Sequence, residues 1–246
     1  MLLFMREFDP IALIAIAIVL FFGMGWHEYA HAYVADWWGD PTPRSMGRLT
    51  PNPIVHINWV GWLMFLIIGF GILGSVPINT RQMRDPRWGS FWTSFAGPLS
   101  NLAQAIIFGI LYRIFFALTP ELFFQTGILG QFLQDLMFFG VLFNVLLFVF
   151  NLLPLFPMDG WHMLLALLPG TGLSWKAIPA AIRQSVPPLA GFLNRPAYKW
   201  SEWAQMTQYV FFFLLIIGFV VPQFSVLNWL IGRPTFQISA LILGGF

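Results

Sequence analysis

Long apolar runs separated by short polar, proline-rich stretches make up most of the chain. Four runs are long enough for a helix to cross a hydrocarbon core of about 30 Å, which takes about 20 residues. They are Ile11–Trp38, Phe91–Leu118, Phe132–Leu153 and Tyr209–Ile231. The run Trp59–Gly74 differs: it is short, contains Gly61, Gly69, Gly71 and Gly74, and follows Pro51-Asn52-Pro53. Such a pattern predicts a re-entrant or partly unwound segment, tolerated at membrane depth only where protein or a cavity shields its backbone. Asp40–Pro53 is too rich in proline for a long helix. Pro169–Met206 reads as an interfacial loop with short amphipathic pieces, with Trp175, Trp200 and Trp203 at headgroup level.

The predicted fold is an all-α polytopic membrane protein of about four to six transmembrane helices, with a re-entrant or short β-like segment. It forms a single domain over residues 1–246, with a core at 11–168 and a C-terminal loop and last span at 169–246. Composition agrees: the chain is 58% hydrophobic and only 9% charged, against about 25% charged in a soluble domain. A net charge of +2 without a basic stripe gives no reason to expect nucleic acid. The absence of cysteine excludes disulfides and thiolate metal sites. The flank Arg6-Glu7-Phe8-Asp9 is not cationic overall and no small-residue cleavage site follows, so the first run reads as a retained span.

That first run contains His27-Glu28-Tyr29-Ala30-His31, an H-E-x-x-H motif. Residues four apart share a helical face, so both imidazoles can reach one metal ion with Glu28 beside them. Ionisable groups at this depth are costly, which itself points to a functional site. A catalytic zinc usually takes three protein ligands and leaves one position open. The third ligand must be another His, Asp or Glu: His56, His162, Asp135, Asp159, Glu121 or Glu202. Asp159 stands out. It ends a stretch starting at Asn151 in which Pro154 and Pro157 break the helix, leaving irregular backbone beside a carboxylate. A carboxylate before glycine is also ordinary loop chemistry, and Asn151 could simply bond backbone freed by Pro154.

Two patterns together resemble the site-2 protease family of intramembrane zinc metalloproteases. One is the H-E-x-x-H at His27–His31; the other is N-x-x-P-x-x-x-x-D-G from Asn151 to Gly160. Gly97-Pro98-Leu99-Ser100-Asn101 and Gly47–Asn58 are similar to further family features, and the likeness runs from about Ile11 to His162. The chain is similar to compact prokaryotic members without accessory domains. Asn58 and Trp161 stand where such members often carry aspartate and glycine, which affects loop detail and no ligand. The resemblance implies one zinc per chain held by His27, His31 and Asp159, with Glu28 as general base toward a zinc-activated water. It also implies Asn151, and less strongly Asn101, as a donor to the oxyanion or a substrate-positioning group. Asn101 could equally serve helix packing, because Ala96, Gly97 and Ser100 form a small-residue face. The expected partner is a transmembrane or membrane-anchored peptide substrate, held extended against an exposed strand edge at Arg48–Ile57.

Topology gives a reading independent of that likeness. His27 lies about 24 Å along its helix from Ile11, near the far side of the bilayer. Asp159 also lies at the far end of its span, so the two meet only if those spans run parallel. A re-entrant Trp59–Gly74 satisfies this and a crossing does not. The re-entrant count puts Arg44, Arg48, Arg81, Arg84, Arg87, Lys176, Arg183, Arg195 and Lys199 on the metal-proximal side, and Arg6, Arg113 and Arg233 opposite. The positive-inside rule then makes the metal-proximal side of this multi-pass cell-membrane protein cytoplasmic. Two other classes compete: a metal-ion transporter, which would need further polar stations in other spans, and a catalytically idle membrane chaperone or adaptor.

Overall fold

The computed structural model describes residues 9–68, 71, 73–118, 127–168, 198–220 and 226–245. Every regular element in the described residues is helical, and three helices are long and apolar enough to cross a membrane. The first, α1 (Pro10–Trp38), starts where the Asp9 carboxylate accepts from the Ile11 N–H at 3.0 Å and proline occupies the first helical position. The short helix α2 (Trp59–Ile68) follows. The second and third long helices are α3 (Pro86–Leu118) and α4 (Gly127–Asn151). A nine-residue helix, α5 (Asp159–Leu167), follows a non-helical break. The chain then contains α6 (Tyr198–Val220) and α7 (Arg233–Leu243).

Side-chain contacts fix the relative directions of the long helices. Asp9, at the start of α1, takes a hydrogen bond from Gln131, near the start of α4. Further along, the Asn101 amide bridges the Gly23 carbonyl at 3.1 Å and Asn144 Oδ1 at 3.0 Å. The α1 and α4 contacts advance together, so these two helices run parallel. Against α1, α3 runs the other way: Asn101 meets Gly23, while Thr93, earlier in α3, meets His31, later in α1. A buried layer of Ala105, Val141 and Val145 joins α3 to α4.

The run Trp59–Gly74 holds no membrane-length helix among the described residues. Its α2 is 10 residues long, about 15 Å at 1.5 Å per residue, half of a hydrocarbon core. Its two ends meet in an isolated antiparallel bridge between Ile57 and Gly74. The Asn58 N–H donates to the Leu73 carbonyl at 3.0 Å, and the Ser75 N–H to the His56 carbonyl at 3.3 Å.

Two expectations need correction. Arg48–Ile57 contains no strand: Pro53–His56 form a 3₁₀ turn capped by Asn52, whose side chain accepts from the Ile54 N–H at 3.1 Å. Pro51 and Pro53 have no N–H to give a ladder, which is why the β-branched residues there do not produce one. The last predicted span, Tyr209–Ile231, is not one helix. Helix α6 begins earlier and is described as far as Val220, and Ile231, which one straight helix would carry about 30 Å past Phe211, packs in one cluster with Phe211, Leu153 and Met158. From there α7 runs toward Arg113, which donates to the Ile242 carbonyl at 2.8 Å and to the Leu241 carbonyl at 2.6 Å. Residues 226–232 are already helical, π-helical from Asn228 to Gly232, so Arg233, expected opposite the metal-proximal side, continues a helix at the level of Ile231. Trp175, Lys176, Arg183 and Arg195 lie outside the described residues.

Candidate functional site

The H-E-x-x-H motif sits in the C-terminal half of α1, where unbroken helix puts His27 and His31 on one face. Both are buried, as is Glu28. Asp159 reaches them from the first turn of α5. Its Oδ2 lies 3.2 Å from His27 Nε2, its Oδ1 lies 3.3 Å from His31 Nε2, and the two Nε2 atoms are 3.0 Å apart. Among the described residues this is the one cluster of at least three His, Asp or Glu side chains close enough to hold an ion.

Hydrogen bonds on the opposite edges of the imidazoles determine what those atoms can do. His31 Nδ1 lies 2.6 Å from the Thr93 carbonyl, which can only accept, so Nδ1 carries the proton. His27 Nδ1 lies 2.6 Å from Asn101 Oδ1. The Asn101 Nδ2 group donates to the Gly23 carbonyl and to Asn144 Oδ1, which leaves Oδ1 as the acceptor for His27. In each neutral imidazole Nε2 is then a bare acceptor, turned toward the other Nε2 and the Asp159 oxygens. Acceptors facing one another without a proton repel, and Asp159 Oδ2 is buried with no hydrogen-bond partner.

A cation resolves this arrangement. Tetrahedral zinc with bonds of about 2.0–2.1 Å holds its donor atoms about 3.3 Å apart, close to the spacings of the three side chains. Space for an ion is also kept clear: a Cβ on Gly97 would collide with Nε2 of His31, and would lie 2.6 Å from Nε2 of His27. A side chain there would fill the volume between the donors, so glycine at 97 is a steric requirement. Two nitrogens and a carboxylate, each imidazole anchored by its second nitrogen, form the donor set of an open catalytic zinc site.

The cluster opens on a cavity of about 460 Å³ whose lining includes Glu28, Ser75, Ser90, Asn151 and His162. Glu28 is packed by Gly74 of the bridge, where a Cβ would come 2.8 Å from Glu28 Cγ, so only glycine lets the returning chain pass. Asn151 keeps one bond, from Nδ2 to the Leu147 carbonyl at 3.0 Å. Asn101 is fully buried behind His27, with both N–H groups engaged.

Of the other candidate third ligands, His56 is buried elsewhere, with Nε2 bonded to the Thr50 carbonyl at 2.9 Å. His162 lines the cavity one turn beyond Asp159, outside the cluster. Asp135 sits on α4 about 24 Å before Asn151, Glu202 is exposed on α6, and Glu121 lies outside the described residues. Sequence reasoning missed Asn144 and the Thr93 carbonyl. A fully buried asparagine in the middle of an apolar span was a readable signal; a backbone carbonyl leaves none.

Residues 15–186 match peptidase family M50. YwhC of Bacillus subtilis (strain 168), a protein assigned as a zinc metalloprotease, is 40% identical over 158 residues, which cover 63% of this chain and 69% of YwhC. Rip2 of Mycolicibacterium smegmatis, assigned in the same way, is 33% identical over 144 residues, which cover 56% of this chain and 51% of Rip2. No solved structure matches the chain.

Proposed function

The chain belongs to peptidase family M50 and is a zinc metalloprotease, and on that premise we propose that it hydrolyses a peptide bond within or next to a transmembrane segment of its substrate. The convergence of three proton-free donors carries this reading, because they meet between two membrane-length helices, α1 and α3, and beside Glu28. His27, His31 and Asp159 would hold the zinc. When bound, zinc polarises a carbonyl and lowers the pKa of water toward about 7. Glu28 takes the proton of the attacking water on its carboxylate and returns it to the departing nitrogen. Asn151 faces the cavity and would donate its second Nδ2 proton to the oxygen on which charge develops. Asn101 holds His27 in the productive tautomer without touching substrate.

A substrate helix must unwind before its carbonyls can be attacked. Ser75, Val76 and Ile78, just past the Ile57–Gly74 bridge, line the cavity and are the stretch a substrate backbone would meet. We read the site as nearer the cytoplasmic face; the shortness of α2 and the arginines between positions 44 and 87 support that side. A transporter reading has less support: among the described residues, the buried Asn101, Asn144 and Thr93 attach to the one site.

The test is cleavage of a model single-span substrate in proteoliposomes by the native chain and by Glu28→Gln. The amide retains the shape and loses the base, so cleavage should fall by about 10²–10⁴-fold or more with zinc content unchanged. Native-rate cleavage by the variant would rule out Glu28 as the base. Zinc flux without cleavage by the native chain would favour a transporter.

A further inference from the structure

We propose that Arg87 is a positioning residue for the third zinc ligand: it clamps the C-terminal end of α5 and thereby sets where Asp159 sits. The proposal rests on reading Asp159 as a ligand. Beyond the two imidazoles at 3.2 and 3.3 Å, no described side chain orients that carboxylate. Asp159 Oδ2 has no hydrogen-bond partner, and α5 starts without a side-chain cap. The chain before it is broken at Pro154 and Pro157, so no continuous helix carries Asp159 up from α4. Its location therefore depends on how the nine-residue α5 is docked as a body.

Arg87 secures that docking at the opposite end. Asp85 caps α3, accepting from the Arg87 N–H at 2.9 Å, and so fixes the backbone of the first turn. The Arg87 side chain is only 8% exposed. Its Nε donates to the Ala166 carbonyl at 2.8 Å, and Nη2 lies 3.4 Å from the Leu167 carbonyl. These are among the last carbonyls of α5, where a cation also complements the helix dipole. The guanidinium carbon lies 5.4 Å from the Trp88 ring centroid, which restricts the side chain further. Helix α3 thus serves all three ligands: Asn101 orients His27, the Thr93 carbonyl orients His31, and Arg87 anchors the strut that ends in Asp159. From Arg87 to Gly97 is about 15 Å along α3, and from Leu167 to Asp159 about 12 Å along α5. The two segments lie antiparallel with the donors at their shared end.

The test is a double-mutant cycle on zinc affinity, measured by chelator competition on the detergent-purified full chain. Arg87→Gln should weaken zinc binding by about 10–100-fold, as loss of outer-shell support does. In an Asp159→Ala background the same change should have no further effect, because the ligand it positions is gone. Arg87→Lys retains the charge without the planar fork and should fall between native and Gln. If Arg87→Gln does not yield folded protein, Arg87→Lys undergoes the same comparison in both backgrounds. Equal loss with and without Asp159, or unchanged zinc affinity, would overturn the clamp and leave the ligand assignment standing. Full zinc affinity in Asp159→Ala would overturn the ligand assignment and the clamp with it.

Discussion

The two arms that meet at the donor cluster are built differently. The histidine arm is part of an unbroken 29-residue helix, and each imidazole is tied by a 2.6 Å bond from its far nitrogen. The aspartate arm is a nine-residue helix after a proline-broken turn, with a carboxylate that no protein donor holds. One arm is oriented before an ion arrives; the other is aimed only by the docking of its helix. On the proposed ligand set, the two pre-oriented nitrogens would capture the ion and the carboxylate would complete the site from a separately docked helix. The histidine arm should therefore dominate metal retention, and its supports should matter more than those around the cavity.

The largest effect is expected from His27→Ala combined with His31→Ala. Zinc should fall from about one equivalent per chain to none, read by metal analysis of purified protein. Retention of full zinc would show that the ion binds elsewhere. Gly97→Ala should come close to this loss, because the methyl group enters the space between the two Nε2 atoms. Native zinc content in that variant would mean that α3 can shift away at little cost. Asp159→Ala should weaken zinc without abolishing it, and chelator titration should place it between native and the double histidine variant. A loss as complete as that of the double variant would remove the distinction between the arms.

Smaller changes sharpen the comparison. Asn101→Ala frees the His27 ring and should reduce zinc affinity by about 10–100-fold. It also takes the donor from Asn144 Oδ1, while the Gly23 carbonyl keeps Gln104 at 3.5 Å, so stability should fall by about 1–3 kcal/mol. The smallest effect on the metal belongs to Asn151→Ala: zinc should be unchanged, while kcat falls by about 10²–10³-fold if its amide meets the oxyanion. Loss of zinc in that variant would move Asn151 from substrate to scaffold.

The sequence made the histidine arm readable because helical spacing alone puts His27 and His31 together. It made α2 readable as too short to cross, and the requirement for parallel ligand helices then followed from depth. Asp159 stood out by its proline-broken setting at the end of a span, and the likeness of Asn151–Gly160 to a known family was needed to read it as a ligand, since a carboxylate before glycine is also ordinary loop chemistry. What stayed hidden were partners from distant segments. The acceptor for His31 is a backbone carbonyl at Thr93, and Arg87 looked like one more topology-setting cation rather than a buried clamp. The strand expected at Arg48–Ile57 failed because two prolines outweighed β-branched content. The last span was misplaced because one apolar run there belongs to two helices, α6 and the segment leading into α7.

The central claim, that both arms converge on one ion, is tested most directly by zinc-edge X-ray absorption on the purified chain. The account predicts a first shell of two imidazole nitrogens and carboxylate or water oxygens at about 2.0–2.2 Å. It also predicts that the imidazole contribution disappears in the double histidine variant. A shell with three or more imidazoles would contradict it, as would an imidazole signal unchanged by those substitutions.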